Sequence, residues 1–239
     1  MLQWIREPDP IFLGAIALPS DWFGSGCGGP RARWLPSGAI EIEGQGTPKR
    51  ALPAKVEQWT QEIHRASTKH GVPWNLTAGI MALESGGKQD AKSPANACGL
   101  MQLLPSTASK PTLAGRLVTC NELLSDPKLN IDLGTKYLAE LMDRYHGNVI
   151  KVGAAYNAGS AFCGAGKKCT SPNRWNLVTD CGPSGQAVDY PGIVIGYANS
   201  ALDELPAATT LGSTRRTISP IAIGLGVGAA ALAYYAVAS

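Results

Sequence analysis

Apolar positions along the middle of the chain recur at helical spacing. From Pro53 onward, Val56, Trp59, Ile63 and Ala66 follow one another at three- and four-residue steps, until Gly71 and Pro73 interrupt them. The pattern predicts an amphipathic helix. A second helix follows in NLTAGIMALESGG, with Asn75 as its expected N-cap and Gly86-Gly87 as its stop. SDPKLNIDLGTKYLAELMDRYHGN predicts a third, capped by Asp126, entered through Pro127 and closed by Gly147. Its buried stripe is expected to be Gly134, Tyr137 with Leu138, Leu141 and Tyr145. VIKVGAAYNAG predicts a fourth helix, and YPGIVIGYANSALDEL a fifth, entered at Pro191. No run alternates well enough to predict a sheet, so residues 53–205 read as a mainly α domain.

The flanks follow other patterns. Residues 1–52 carry Gly, Pro and Trp without steady periodicity and are expected to form an irregular extension. Within them IFLGAIAL resembles the apolar part of a signal peptide, but Glu7 and Asp9 precede it, which suits a short buried or surface segment better. Residues 206–217 read as a small-residue linker carrying Arg215 and Arg216. From Thr217 to Ser239 there is no charge, and the apolar run from Ile221 to Ala238 would cover roughly 27 Å as a helix. Residues 218–238 are therefore predicted to be a C-terminal transmembrane helix, with Tyr234 and Tyr235 near the far interface. Gly224 and Gly228 give it a small-residue face on which helices could pair. With the arginines before the span, the positive-inside rule puts the preceding domain on the cytoplasmic side.

Composition narrows the chemistry. A formal charge of +3 without a basic cluster excludes a nucleic-acid partner. The six cysteines (Cys27, Cys98, Cys120, Cys163, Cys169 and Cys181) contain no C-x2-C pair. His64, His70 and His146 are not spaced with them as metal ligands, so no metal or cofactor is expected. An even number of cysteines in a chain rich in Gly and Pro fits disulfides and an oxidising compartment, with buried thiols as the alternative. Cys98 and Cys120 could clasp the loop between them, and Cys163, Cys169 and Cys181 could supply one local bridge.

Glu84 carries the candidate chemistry. It ends an apolar helix containing Ile80, Met81 and Leu83, where burial would raise its pKa and keep it protonated. A protonated carboxylic acid in a cleft is what glycosidic cleavage requires at the leaving oxygen. GLMQLLP adds a glycine-led turn, an apolar platform and the Gln102 amide, a set suited to an N-acetylated sugar. AAYNAG adds a tyrosine and an asparagine between small residues.

In order and spacing these motifs resemble the lytic transglycosylases of the soluble type, related to goose-type lysozyme. Glu84-Ser85 matches the family's first motif, and Ser93 the serine of the loop that follows. Gly99, Leu100, Met101 and Gln102 match the second, with Pro105 and Thr107-Ala108 behind it. Ala155, Tyr156, Asn157, Ala158 and Gly159 match the third, and Tyr190 a later tyrosine. Asn130 to Leu141 looks like the family's structural helix, and the resemblance covers roughly residues 53–204. It implies a lysozyme-like catalytic domain in which Glu84 is the sole acid and base. Ser93, Gly99, Leu100, Met101, Gln102, Tyr156, Asn157 and Ala158 would line the glycan cleft, and Tyr190 would orient Glu84. Lys88, Gln89, Cys98 and the SAFCGAGKKC stretch depart from the family pattern.

The resemblance further implies cleavage of the MurNAc-β-1,4-GlcNAc bond of peptidoglycan, with the substrate's own C6 hydroxyl closing a 1,6-anhydro ring. Asp90 is the rival second carboxylate, which a water-using muramidase would need. A non-catalytic wall-binding protein is the remaining class. The partners expected are peptidoglycan strands and a membrane, either of a virion during entry or of a bacterial envelope.

Overall fold

In the computed structural model the described residues are 32–159 and 189–206. Helix α2 (Trp74–Glu84) lies at their centre. Leu76, Ala78, Ile80 and Met81 have no exposed surface, and a helix that is apolar all round has to be enclosed. Helix α7 (Tyr190–Glu204) packs along it. Gly79 permits the approach: a Cβ there would lie 2.7 Å from the Val194 carbonyl oxygen and 3.1 Å from the Ala198 Cβ. Helices α1 (Thr60–His70), α5 (Pro127–Arg144) and α6 (Val149–Ala158) complete the mainly helical core.

Most boundaries fall where the chain's punctuation puts them. Asp126 caps α5, its side chain accepting the Leu129 N–H at 3.0 Å, and Pro127 occupies the first turn. Gly71 ends α1 in the left-handed conformation. The run from Pro53 is two elements, however, a 3-10 helix over Ala54–Trp59 and then α1, because Trp59 leaves helical geometry (φ −99°, ψ 4°). Asn75 is a correction. Helix α2 begins one residue earlier, behind Pro73, and Asn75 is buried inside its first turn. Its amide donates to the Gly38 carbonyl (3.0 Å) and the Ala198 carbonyl (3.4 Å).

Two short helices, α3 (Pro105–Ala108) and α4 (Cys120–Ser125), had no periodic signal. The second carries a capping box: Thr119 accepts the Glu122 N–H while Glu122 accepts the Thr119 N–H. Two strands also went unpredicted. β1 (Ala32–Trp34) and β2 (Ile40–Ile42) pair antiparallel, Arg33 opposite Glu41. Three residues are too few for alternation to register.

The expected irregularity of residues 32–52 gives way to a layer stapled onto α7. Ile40 and Ile42 are fully buried. The Asn199 side chain accepts the Ile40 N–H at 2.6 Å and donates to the Ile40 and Pro48 carbonyls at 2.9 and 2.8 Å. The Arg50 N–H meets Gly196 O and Ser200 Oγ, the Leu52 N–H meets Glu204 Oε2, and Lys49 pairs with Asp203. Buried main chain has to find partners somewhere, and a segment without a long sheet finds them in one asparagine.

None of the described helices is long and apolar enough to cross a membrane. The expected anchor at 218–238, with Gly224 and Gly228, lies outside the described residues, as do Cys27, Cys163, Cys169 and Cys181. Asn199→Ala should lower stability by about 2–4 kcal/mol, since it strands the two buried main-chain groups of Ile40 and the half-buried Pro48 carbonyl. Urea denaturation of the variant checks this; a loss below about 0.5 kcal/mol would mean that the layer contributes little.

Candidate active site

Glu84 is the last residue of α2, and what ends the helix also orients it. Ser85 leaves helical geometry, and Gly86 and Gly87 follow with positive φ. The Ser85 hydroxyl, 8% exposed, donates to the Leu100 carbonyl at 2.7 Å and accepts the Gly87 N–H at 3.1 Å. The end of α2 is thereby joined to the Gly99–Gln102 turn, fifteen residues on.

That turn is held from every side. Cys98 and Leu103 close it with a reciprocal backbone pair, N–H to O at 2.9 and 3.2 Å. Gly99 has φ +79°, and a Cβ there would stand 2.2 Å from Asn130 Nδ2, so both conformation and space require glycine. Asn130, fully buried on α5, accepts the Met101 N–H (2.8 Å) and donates to the Cys98 and Leu123 carbonyls (2.8 and 3.2 Å). The Gln102 amide donates to the Ala91 and Gly99 carbonyls, both at 2.9 Å. The Tyr156 hydroxyl donates to the Met101 carbonyl at 2.9 Å. The expected disulfide between Cys98 and Cys120 is present and ties the turn to α4, while the Gln89 amide reaches the Leu124 carbonyl at 2.9 Å.

These bonds give the motif residues unequal parts. Leu100 and Met101 have no exposed side-chain surface, so they can meet a ligand through the main chain alone. Met101 packs on Gly134, where a Cβ would approach its Cβ to 2.6 Å. Ser93 is half-buried and accepts the Ala97 N–H at 3.0 Å, shaping the loop ahead of the turn. Tyr156, Asn157 and Ala158 are half-buried at the end of α6. The helix stops at Gly159, whose φ +72° and ψ −165° are open to glycine alone. Asp90 is exposed in the loop after α2.

Tyr190 lies against Glu84. As the first residue of α7, behind the Asp189 cap, it is buried and donates its hydroxyl to Glu84 Oε1 at 2.5 Å. Burial pushes the Glu84 carboxyl from 4.5 up to about 7, against the lowering pull of that hydrogen bond. Burial likewise pushes the Tyr156 and Tyr190 hydroxyls well above their usual range, the neighbouring Glu84 adding to both. Both therefore stay neutral donors. Among the described residues burial and Tyr190 are the influences on Glu84, and no second carboxylate shares its proton.

Residues 61–173 match the family model of the transglycosylase SLT domain. The match covers a little under half of the chain. The matched range includes Glu84, the Gly99–Gln102 turn and Tyr156, but not Tyr190. Membrane-bound lytic murein transglycosylase C of Edwardsiella ictaluri is 35% identical over 119 residues, 46% of this chain and 33% of the relative. A putative soluble lytic murein transglycosylase of Haemophilus influenzae is 49% identical over 82 residues, 34% of this chain and 14% of the relative. The chain thus spans a third or less of the length of either. Among solved structures, the 70 kDa soluble lytic transglycosylase of Escherichia coli matches 42% of this chain and 17% of its own at 34% identity, with a TM-score of 0.40. An inactive mutant of the lytic transglycosylase Slt from Pseudomonas aeruginosa matches 57% and 22% at 26% identity, with a TM-score of 0.44.

Ser85 and Asn130 were present in the matched motifs, yet their positioning parts were not readable from them. Asn130, in the first turn of α5, has the look of a surface residue until the turn that it feeds is folded against it.

Because the folded chain binds the Glu84 proton more tightly than the unfolded chain, its contribution to stability is full below about pH 4.5. It falls as pH rises and levels off past about 7, a loss on the order of 3 kcal/mol. Glu84→Gln should abolish that slope. Urea midpoints at about pH 4 and about pH 8 check it: an unchanged slope in the variant would mean that Glu84 titrates normally.

Proposed function

We propose that this domain is a peptidoglycan lytic transglycosylase with Glu84 as its sole acid and base. The observation that carries the reading is a desolvated carboxyl near pKa 7, held by Tyr190 beside the Gly99–Gln102 turn, with no second carboxylate on its proton among the described residues. A glycosidase that activates water needs a second carboxylate as base or nucleophile. A single carboxyl suffices where the substrate supplies the nucleophile. Protonated Glu84 donates to the oxygen between MurNAc and GlcNAc, and the bond from C1 to that oxygen breaks. The carboxylate then takes the proton of the C6 hydroxyl as O6 bonds to C1, which closes the 1,6-anhydro ring. Glu84 ends protonated as it began, and no water is consumed.

The relatives named as lytic murein transglycosylases support the same reaction class. Tyr190 suits the second half of the cycle, since its hydrogen bond favours the ionised carboxylate. Membrane attachment through residues 218–238 is proposed on sequence alone, from their lack of charge and from Arg215 and Arg216 before them. The same charge pattern favours a virion membrane as the setting. Recovery of the protein from purified virions tests that; recovery from the envelope of uninfected cells overturns it.

Glu84→Gln should reduce glycan cleavage by about 10³-fold or more while binding persists. Mass spectrometry of digested peptidoglycan should find 1,6-anhydro ends with the unaltered chain. Reducing ends in their place would make the enzyme a hydrolase. The rate should fall as pH rises past about 7, as the acid loses its proton.

A further inference from the structure

The end of α2 is held by more than the Gly99–Gln102 turn and Tyr190. The two glycines that stop the helix lie against the 3-10 helix over Ala54–Trp59 and the proline before it. A Cβ at Gly87 would stand 2.5 Å from the Lys55 carbonyl oxygen and 2.7 Å from the Val56 nitrogen, so main chain meets main chain there. At Gly86 an added Cβ would lie 3.6 Å from the Pro53 Cβ.

Both main-chain groups of the buried Gly87 are claimed, and by different partners. Its N–H donates to Ser85 Oγ at 3.1 Å, the hydroxyl that reaches the Leu100 carbonyl. Its carbonyl accepts the indole N–H of Trp59 at 2.9 Å. The Gln58 amide donates to the same carbonyl at 3.3 Å, from an exposed side chain. Trp59 is half-buried and packed against the core, so the indole is the fixed donor of the two. A clamp is needed here because two successive glycines leave the backbone free to turn. Without the indole, the Gly87 carbonyl would lose its better partner and the stop would shift to recover one. Glu84 is three residues back.

We propose that Trp59 is a positioning residue for Glu84, its indole clamping the glycine stop of α2 so that the carboxyl stays on the Tyr190 hydroxyl. The inference rests on the reading of Glu84 as the acid and base. Trp59 touches no reacting atom and acts through Gly87. It precedes residues 61–173, which match the family model, and its partner is a main-chain carbonyl.

Trp59→Phe keeps an aromatic ring and removes the donor. In the full chain it should lower kcat for release of 1,6-anhydro ends about fivefold to twentyfold, with KM within about twofold. Carbon-13 NMR follows the Glu84 carboxyl as the signal that Glu84→Gln removes. Its titration should move up by about half a pH unit or more in Trp59→Phe, because a looser Tyr190 bond gives up its lowering pull. Asn199→Ala weakens the fold elsewhere and should leave that titration within about 0.2 pH unit. An unmoved titration and kcat in Trp59→Phe overturns the proposal. So does an equal shift in Asn199→Ala, which would make the effect one of general stability. A shift confined to Trp59→Phe, in a chain that releases no 1,6-anhydro ends, overturns the enzymatic reading and leaves the clamp standing.

Discussion

The Asn130 side chain is the constraint on which the site depends. Its one acceptor and both donors are committed: to the Met101 N–H, and to the Cys98 and Leu123 carbonyls. A buried amide in the first turn of α5 is costly unless fully paired, and here it is paired to three points on two other segments. The turn at Gly99–Gln102 therefore has one position relative to α5 and α4. Ser85 then ties the end of α2 to the same turn through Leu100, and Tyr156 ties the end of α6 to it through Met101. Three helices thus take their relative placement from the main chain of four residues.

That arrangement changes what the Gly-Leu-Met-Gln motif is for. Its side chains resemble a sugar platform when read in line, with an apolar pair and an amide. Folded, Leu100 and Met101 are core, and the Gln102 amide nitrogen is spent on the Ala91 and Gly99 carbonyls. The carbonyls of Gly99, Leu100 and Met101 are each capped by a side chain. The motif works first as a joint. It holds the ends of α2 and α6, and with them Glu84 and Tyr156, to the same four residues.

The difference marks how far the sequence could be read. Helices with long apolar stripes were legible: α5 through Asp126, Pro127 and its spaced leucines, and α2 through its unbroken apolar run. The desolvation of Glu84 was legible too, from the apolar run that it ends. The Cys98–Cys120 bridge was legible as a possibility. What escaped depends on contacts distant in sequence. Asn199 grips Ile40 and Pro48 from about 150 residues away, and no local pattern announces such a bond. The strands at Ala32–Trp34 and Ile40–Ile42 are too short for periodicity. The capping box at Thr119 and Glu122 was a local signal, present but overlooked for want of an apolar repeat behind it. Asn75 failed as a cap because Pro73 ends the preceding turn, and the tertiary partners Gly38 and Ala198 claim its amide instead.

A site with one carboxyl sets a demand that a site with two does not. On the proposed reaction Glu84 must give a proton and then recover one, so neither of its forms can be strongly preferred. Burial alone would lock it in the acid form, and a cation alongside would lock it in the ionised form. Tyr190 does something in between. It is a neutral donor whose own proton burial keeps in place, and its hydrogen bond lowers Glu84 part of the way back, to about 7. A neighbouring carboxylate would have undone this balance by repelling the anion that the second step needs. Among the described residues, a carboxyl without a partner carboxylate and a buried tyrosine are thus two halves of one electrostatic solution, carried by the end of α2 and the start of α7.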